Sequence, residues 1–340
     1  MTANYWIAMT TIAHPTVAVE EFSALARERG WGFAVTGDTK TPDDFACEGV
    51  DYLSVDRQHE LYGEYSHATP VRHYARKNLA YLFAIANGAK VILESDDDNR
   101  PYPEFGTVTD MPVTGRVVGN AAWANTYRYF TDSTHIWPRG LPLDLIYETG
   151  EVTGTETVAC PMQQFLADSD PDVDAIYRLL YRDPLYFDKS AENVILAPNC
   201  YCPFNSQNTI IHSEAFELLY LPAFVSFRMT DIWRSFIAQR ILWEDGKSIS
   251  FHAPTVYQER NAHNLMRDFS EEVVGYLNNA RMAETLSGLD LSGLSIGDRL
   301  VRCYEALHEI GMMEAREIDL VRLWLDGVKA ARQRALVAEA

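Results

Sequence analysis

The sequence predicts an α/β protein: a mostly parallel central sheet with helices on its faces, followed by a helical C-terminal extension. Three observations predict it. Short apolar runs alternate with amphipathic stretches through the first hundred residues. The runs end in polar or acidic residues, and the amphipathic stretches end at glycines. From Ser270 onward the pattern is helical, broken by a turn around residues 288–297. Strands alternating with helices favour a parallel sheet, because each crossover packs back onto a face.

Residues 5–9, Tyr-Trp-Ile-Ala-Met, read as the first strand and run out at Thr10 and Thr11. A helix then opens at Pro15 and Thr16, carries Val19, Phe22, Leu25 and Ala26 on one face, and stops at Gly30. Residues 31–36 form a second strand closed by Gly37 and Asp38, and residues 51–55 a short third. Residues 71–87 predict a strong helix, since Leu79, Leu82, Phe83 and Ala86 follow helical spacing. Val91-Ile92-Leu93 is a buried strand shortly after Gly88. Residues 101–170, rich in Pro, Gly, Thr and aromatics, predict irregular structure over the sheet, with one short strand at 116–119. A helical start at 170–180, a strand at 209–211, a helix at 230–243 and a strand at 248–251 follow. The expected division is a core domain, 1–268, and a helical extension packed on it, 269–340.

At 340 residues and 47% hydrophobic, the chain can bury a large core. Its net charge of −19 opposes general binding to nucleic acid or anionic membrane. No apolar run reaches the roughly 18–20 residues of a membrane span, and the N-terminus lacks a signal-peptide pattern. Of five cysteines only Cys200 and Cys202 are close, without zinc-ribbon spacing, so a reduced, cytoplasmic protein is expected.

The densest chemistry lies at the end of the Val91–Leu93 strand, where Asp96, Asp97 and Asp98 are consecutive. Crowded like charges are costly unless a cation or donors offset them. Mg²⁺ and Mn²⁺ prefer such oxygen ligands and share them with substrate phosphates. Gly37 permits a sharp turn or close approach of a ligand; Asp38 could accept from a base or ribose, and Lys40 could meet phosphate. Arg72, His73, Arg76 and Lys77 open the predicted 71–87 helix, against its dipole, which points to a nearby anion, either the carboxylates of Asp96–Asp98 or a bound diphosphate. Asp172 and Asp174 form a second acidic cluster that could cap a helix or act on substrate. Asp231 opens the 230–243 helix as a first-turn acid or a catalytic base. Asn205-Ser206-Gln207-Asn208 suits polyhydroxyl recognition or an ordinary turn, and His252 and His263 offer a further metal ligand.

Taken in order, several blocks resemble the STELLO-like family, whose plant members are described as glycosyltransferases. They are Gly-Asp-Thr-Lys-Thr-Pro at 37–42, Tyr-Ala-Arg-Lys-Asn-Leu-Ala-Tyr-Leu-Phe-Ala-Ile at 74–85, and Gly-Ala-Lys-Val-Ile-Leu-Glu-Ser-Asp-Asp-Asp-Asn at 88–99. Segments 168–177, 205–209 and 227–243 extend the resemblance over roughly residues 5–270. It implies a GT-A-like nucleotide-binding sandwich with an Asp-x-Asp motif, which would be Asp96 and Asp98. The plant relatives carry a membrane anchor, for which this sequence has no apolar run.

The sequence therefore leads to a transferase using a nucleotide sugar, a UDP-sugar first, and a carbohydrate or other hydroxyl acceptor. Asp96, Asp98 and His263 would hold Mn²⁺ or Mg²⁺. Thr10, Thr11, Gly37, Asp38, Lys40, Arg76 and Lys77 would hold the nucleotide. Asp231, then Asp172 or Asp174, would serve the acceptor. The rivals are a nucleotide-sugar mutase and a catalytically silent nucleotide-sugar-binding scaffold.

Overall fold

The computed structural model describes residues 3–260 and 264–339. Its strands are β1 (Tyr5–Thr10), β2 (Gly32–Thr36), β3 (Asp51–Leu53), β4 (Val91–Ser95), β5 (Asn99–Pro101) and β6 (Val113–Gly119). They continue as β7 (Glu151–Val158), β8 (Met162–Ser169), β9 (Val194–Leu196), β10 (Asn208–His212) and β11 (Ile249–Gln258). The helices are α1 (Val17–Arg29), α2 (Val55–Ala68), α3 (Lys77–Ala86), α4 (Ala175–Leu180), α5 (Thr230–Trp243), α6 (Leu265–Ser287), α7 (Ile296–Glu309) and α8 (Ala315–Glu339).

One sheet joins the strands in the order β3-β2-β1-β4-β10-β8-β11-β9-β6-β7, with β5 also on β11. Strands β3, β2, β1 and β4 are parallel neighbours. Strand β10 runs against both β4 and β8, and β8 pairs in parallel with β11, so most strands share the direction of β1. Parallel strands are covered on both faces, and β4 is accordingly buried along its whole length.

On one face, Leu79 and Leu82 of α3 pack between Ile92 of the sheet and Val321, Trp324 and Val328 of α8 in a single core. On the other face, Val19, Phe22 and Ala26 of α1 meet Ile7, Met9, Phe33 and Val35. The predicted stop of α1 is realised at Gly30, whose φ of 67° lets its N–H close on the carbonyls of Ala26 and Arg27. Helix α6 runs through position 268/269, and the core continues from α3 into α8, so the C-terminal helices share the sheet's own core. Among the described residues, no helix is long and apolar enough to cross a membrane.

The local expectations differ in several places, and strands β5, β7 and β9 and the second half of β11 have no counterpart among them. The 71–87 helix is split into a 3₁₀ turn, Tyr74–Arg76, and α3, so Arg72 and His73 precede the helix. Helix α2 has no apolar stripe to announce it, and it is kinked at Gly63. Strand β8 lies at the centre of the sheet within the stretch expected to be irregular. Its buried Gln163, Gln164 and Asp168 disguise it, and each is hydrogen-bonded, as burial of polar groups demands.

Candidate functional site

The C-terminal ends of β1, β2, β4, β8 and β11 and the start of β10 surround one cleft of about 920 Å³. Ligand sites in open α/β sheets lie beyond the carboxyl ends of the strands, and this cleft does too. Thr10 and Thr11 enter it from β1, Asp38 from β2, Asp96–Asp98 from β4, Asp172 from β8, and Gln258 from β11. Asn205 and Gln207 reach it from the antiparallel β10 side.

The three aspartates have different partners. Asp96 Oδ1 accepts from Tyr74 Oη at 2.7 Å and Lys77 Nζ at 3.0 Å. Asp97 Oδ2 accepts from Thr11 at 2.6 Å, and its main-chain oxygen accepts from Thr16. Gln258 Nε2 lies 3.1 Å from each oxygen of Asp98. Burial, then the charge of Asp96, pushes the Asp98 carboxyl up to about 6. Burial also raises Asp97. The cluster is thus held together against its own repulsion.

The opposite wall is an arginine–carboxylate lattice. Arg139 donates to both oxygens of Asp172, at 2.7 and 2.8 Å, and to both of Asp231, at 3.1 and 2.9 Å. Burial alone would raise Asp172, but the Arg139 guanidinium outweighs it and holds the carboxyl below its ordinary range. Asp231 also accepts from the N–H of Ser206. Phe227, half exposed, stands at the mouth with its ring beside those of His73 and Tyr74.

Of the residues nominated from sequence, Thr10, Thr11, Asp38, Lys40, Asp96, Asp98, Asp172 and Asp231 line this cleft. Asp38 already accepts from the N–H groups of Thr39 and His73. Four are placed elsewhere. Arg76 is fully buried and bonded to Gln58, Ser66 and Thr69, tying α2 to α3 rather than reaching for phosphate. Lys77 is buried beneath the cleft, bonded to the carbonyls of Ser95 and Ser206 as well as Asp96. Gly37 approaches a side chain: a Cβ there would stand 2.2 Å from the Tyr52 hydroxyl. Asp174 is the N-cap of α4 and accepts from Trp137, so its oxygens are turned into the core. His263 lies outside the described residues. His252 is a core residue stacked on Phe165, and burial pulls its imidazole down to about 3.

The family model of the STELLO glycosyltransferases matches residues 228–335. "Probable glycosyltransferase STELLO2" of Arabidopsis thaliana is 32% identical over 305 residues, 83% of this chain and 39% of that protein. "Probable glycosyltransferase STELLO1" of the same plant is 30% identical over 353 residues, 96% of this chain and 44% of that protein. The chain belongs to the STELLO glycosyltransferase family. It spans less than half the length of these curated relatives. A crystal structure described as a mycobacterial protein aligns with a TM-score of 0.42 at 12% identity, over 86% of this chain and 77% of that one.

Within this STELLO-family chain, the cleft residues that sequence reading missed include Arg139, Gln258 and Arg260. Arg139 had a signal: a lone charge in Ile-Trp-Pro-Arg-Gly-Leu, where burial requires a partner. Gln258 and Arg260 had none, because the pattern that predicts the preceding strand stops at Phe251, whereas β11 runs on to Gln258.

Proposed function

We propose that this chain transfers a sugar from a nucleotide sugar, a UDP-sugar first, to a hydroxyl acceptor, on a GT-A-like sheet. The observation that carries the reading is the gathering of Asp96 and Asp98 with Thr10, Thr11, Asp38 and Lys40 at the carboxyl ends of parallel strands.

The donor chemistry of this site suits a divalent cation shared with substrate. Among the described residues, no three His, Cys, Asp or Glu side chains converge to cage a metal. Mg²⁺ and Mn²⁺ are commonly held by one or two carboxylates together with substrate phosphates and water. Asp96 and Asp98 are such a pair, and Asp98 is raised first by burial and then by the charge of Asp96, which a cation would offset. When bound, the ion would neutralise charge developing on the departing diphosphate.

The chain's own residues would do the rest. Thr10, Thr11 and Asp38 border the nucleoside side, with Lys40 at its open edge. Lys77 and Tyr74 hold Asp96 in place from below. Asp231 faces the cleft from the first turn of α5 and is the acceptor-side carboxylate of this reading. Its two oxygens already accept from Arg139, so it is rigidly aimed, and a proton taken there weakens that pair. Asn205 and Gln207 add neutral hydrogen-bonding groups suited to sugar hydroxyls.

The test is binding of UDP with and without Mn²⁺, in the wild type and in Asp98→Asn, followed by product analysis with UDP-sugars. Mn²⁺-dependent binding that weakens at least about tenfold in the variant supports the reading, as expected for a lost charged ligand. Equal affinity in both proteins removes the metal assignment. Isomerisation of the donor without acceptor would make the protein a mutase, and binding without turnover a scaffold.

A further inference from the structure

We propose that Arg260 is the phosphate-binding guanidinium of this cleft, the group that receives the diphosphate of the nucleotide. The inference rests on the nucleotide-sugar reading above and assigns to Arg260 what the sequence suggested for Arg76.

The cations around this cleft are unequally partnered. The arginines around this wall come with carboxylates: Arg139 with Asp172 and Asp231, Arg178 with Asp268, and Arg228 with Glu272. Arg260 differs. Among the described residues its hydrogen bonds go to neutral acceptors, namely the carbonyls of Asp170 and Pro171 at 3.1 Å and Gln258 Oε1 at 2.8 Å. Among the described residues its Nε is buried without a partner, as is that of Arg178, but Arg178 has a carboxylate on its other end. All three bonds are made by Nη2, so the planar fork keeps donors to spare, and such a fork matches phosphate oxygens.

Position supports the assignment. Gln258 accepts from Arg260 and donates to Asp98, so a single amide links the guanidinium to the candidate metal ligand. A diphosphate sharing a cation with Asp98 would therefore sit between a positive ion and a positive side chain. Burial, then the neighbouring charges of Arg178 and Arg228, pulls the Arg260 guanidinium down to about 10. It remains a cation at neutral pH, where the charges of Asp172 and Asp98 offset burial and the two arginines only in part, and an arriving anion would offset the remainder. Lys40 and Arg72 also line the cleft, but both are exposed to water, where a charge needs no counterion.

The experiment is calorimetric titration of the full chain with UDP and with inorganic diphosphate, each with Mg²⁺. The proteins are the wild type, Arg260→Met and Arg260→Lys. Loss of a charge-assisted, forked hydrogen bond to phosphate should weaken both ligands about 10- to 100-fold in Arg260→Met. Arg260→Lys should recover part of this, because a point charge replaces the fork. An unchanged melting temperature in Arg260→Lys separates lost contact from lost fold. Equal affinity for both ligands in all three proteins overturns the proposal, as does failure of the wild type to bind either one. Arg260-dependent binding of inorganic diphosphate without any binding of UDP would uphold Arg260 and remove the UDP-sugar reading.

Discussion

Replacing Arg139 by methionine asks whether the far wall of the cleft is one electrostatic unit. The guanidinium bonds all four carboxylate oxygens of Asp172 and Asp231, and it also donates to the carbonyl of Arg228. Arg139, Asp172 and Asp231 are 5%, 6% and 7% exposed, so water from the cleft replaces the lost donor only in part. Methionine fills much of the space and removes the charge. Taking one partner from a buried pair costs about 3–5 kcal/mol, and here two carboxylates are stranded, so the upper end is expected at neutral pH. That is a large part of a domain stability of about 5–15 kcal/mol. The pH dependence supplies a second reading. In the wild type Asp172 is held below its ordinary range, so its contribution is present above a pH of about 4 and is lost as pH falls. In the variant only the lesser charges of Arg228 and Arg260 oppose burial, so the same carboxyl moves up and its contribution falls as pH rises. Urea unfolding of both proteins at about pH 5 and about pH 7.5 measures this. The deficit should be several kcal/mol at the higher pH and smaller at the lower. A deficit under about 1 kcal/mol at the higher pH, or one that grows as pH falls, refutes the reasoning.

Arg76→Met should lower stability by about 2–4 kcal/mol, because Gln58 loses its donor inside the core, while UDP affinity stays unchanged; altered affinity would return Arg76 to the ligand. The Asp174 carboxyl is pushed up to about 6 by burial, so its stabilising contribution is complete below its unfolded value and is lost as pH rises through about 6. Asp174→Asn should remove that slope between about pH 4 and pH 6, worth up to about 3 kcal/mol at roughly 1.4 kcal/mol per unit; parallel stability curves for the two proteins would count against it. Asp231→Asn should reduce turnover with donor affinity intact if this carboxylate serves the acceptor, and near-normal turnover would leave it a partner of Arg139 alone.

The first hundred residues were readable because local patterns and tertiary structure agree there. The amphipathic face of α1, the capping Thr16 and Gly30, and the apolar run of β4 each state their burial in consecutive residues. The acidic cluster was legible for the same reason: three charges at the end of a buried strand need a reason, whatever the rest of the chain does. Beyond residue 100 the agreement ends. Strand β8 is central yet carries Gln163, Gln164 and Asp168 inward, and only the partners brought by β10, β11 and the loops make that burial tolerable. Helix α2 owes its place to packing rather than to a stripe of its own.

Side-chain direction was the other gap. Arg76 and Lys77 are adjacent in sequence and both basic. One clamps α2, and the other supports Asp96, because successive residues of a turn project differently. Asp172 and Asp174 divide in the same way: one faces Arg139 in the cleft, and the other caps α4 inside the core. Arg139, Asp172, Asp231 and Arg260 line one cleft only because the loop carrying Arg139 meets the ends of β8, α5 and β11, with Arg139 33 residues from Asp172 and 92 from Asp231. The sequence by itself determined the α/β pattern and the carboxylate cluster, since both are encoded in neighbouring residues. Tertiary structure alone decided which charges meet and which are left to a ligand, because ion pairs form between residues that packing, not sequence distance, brings together.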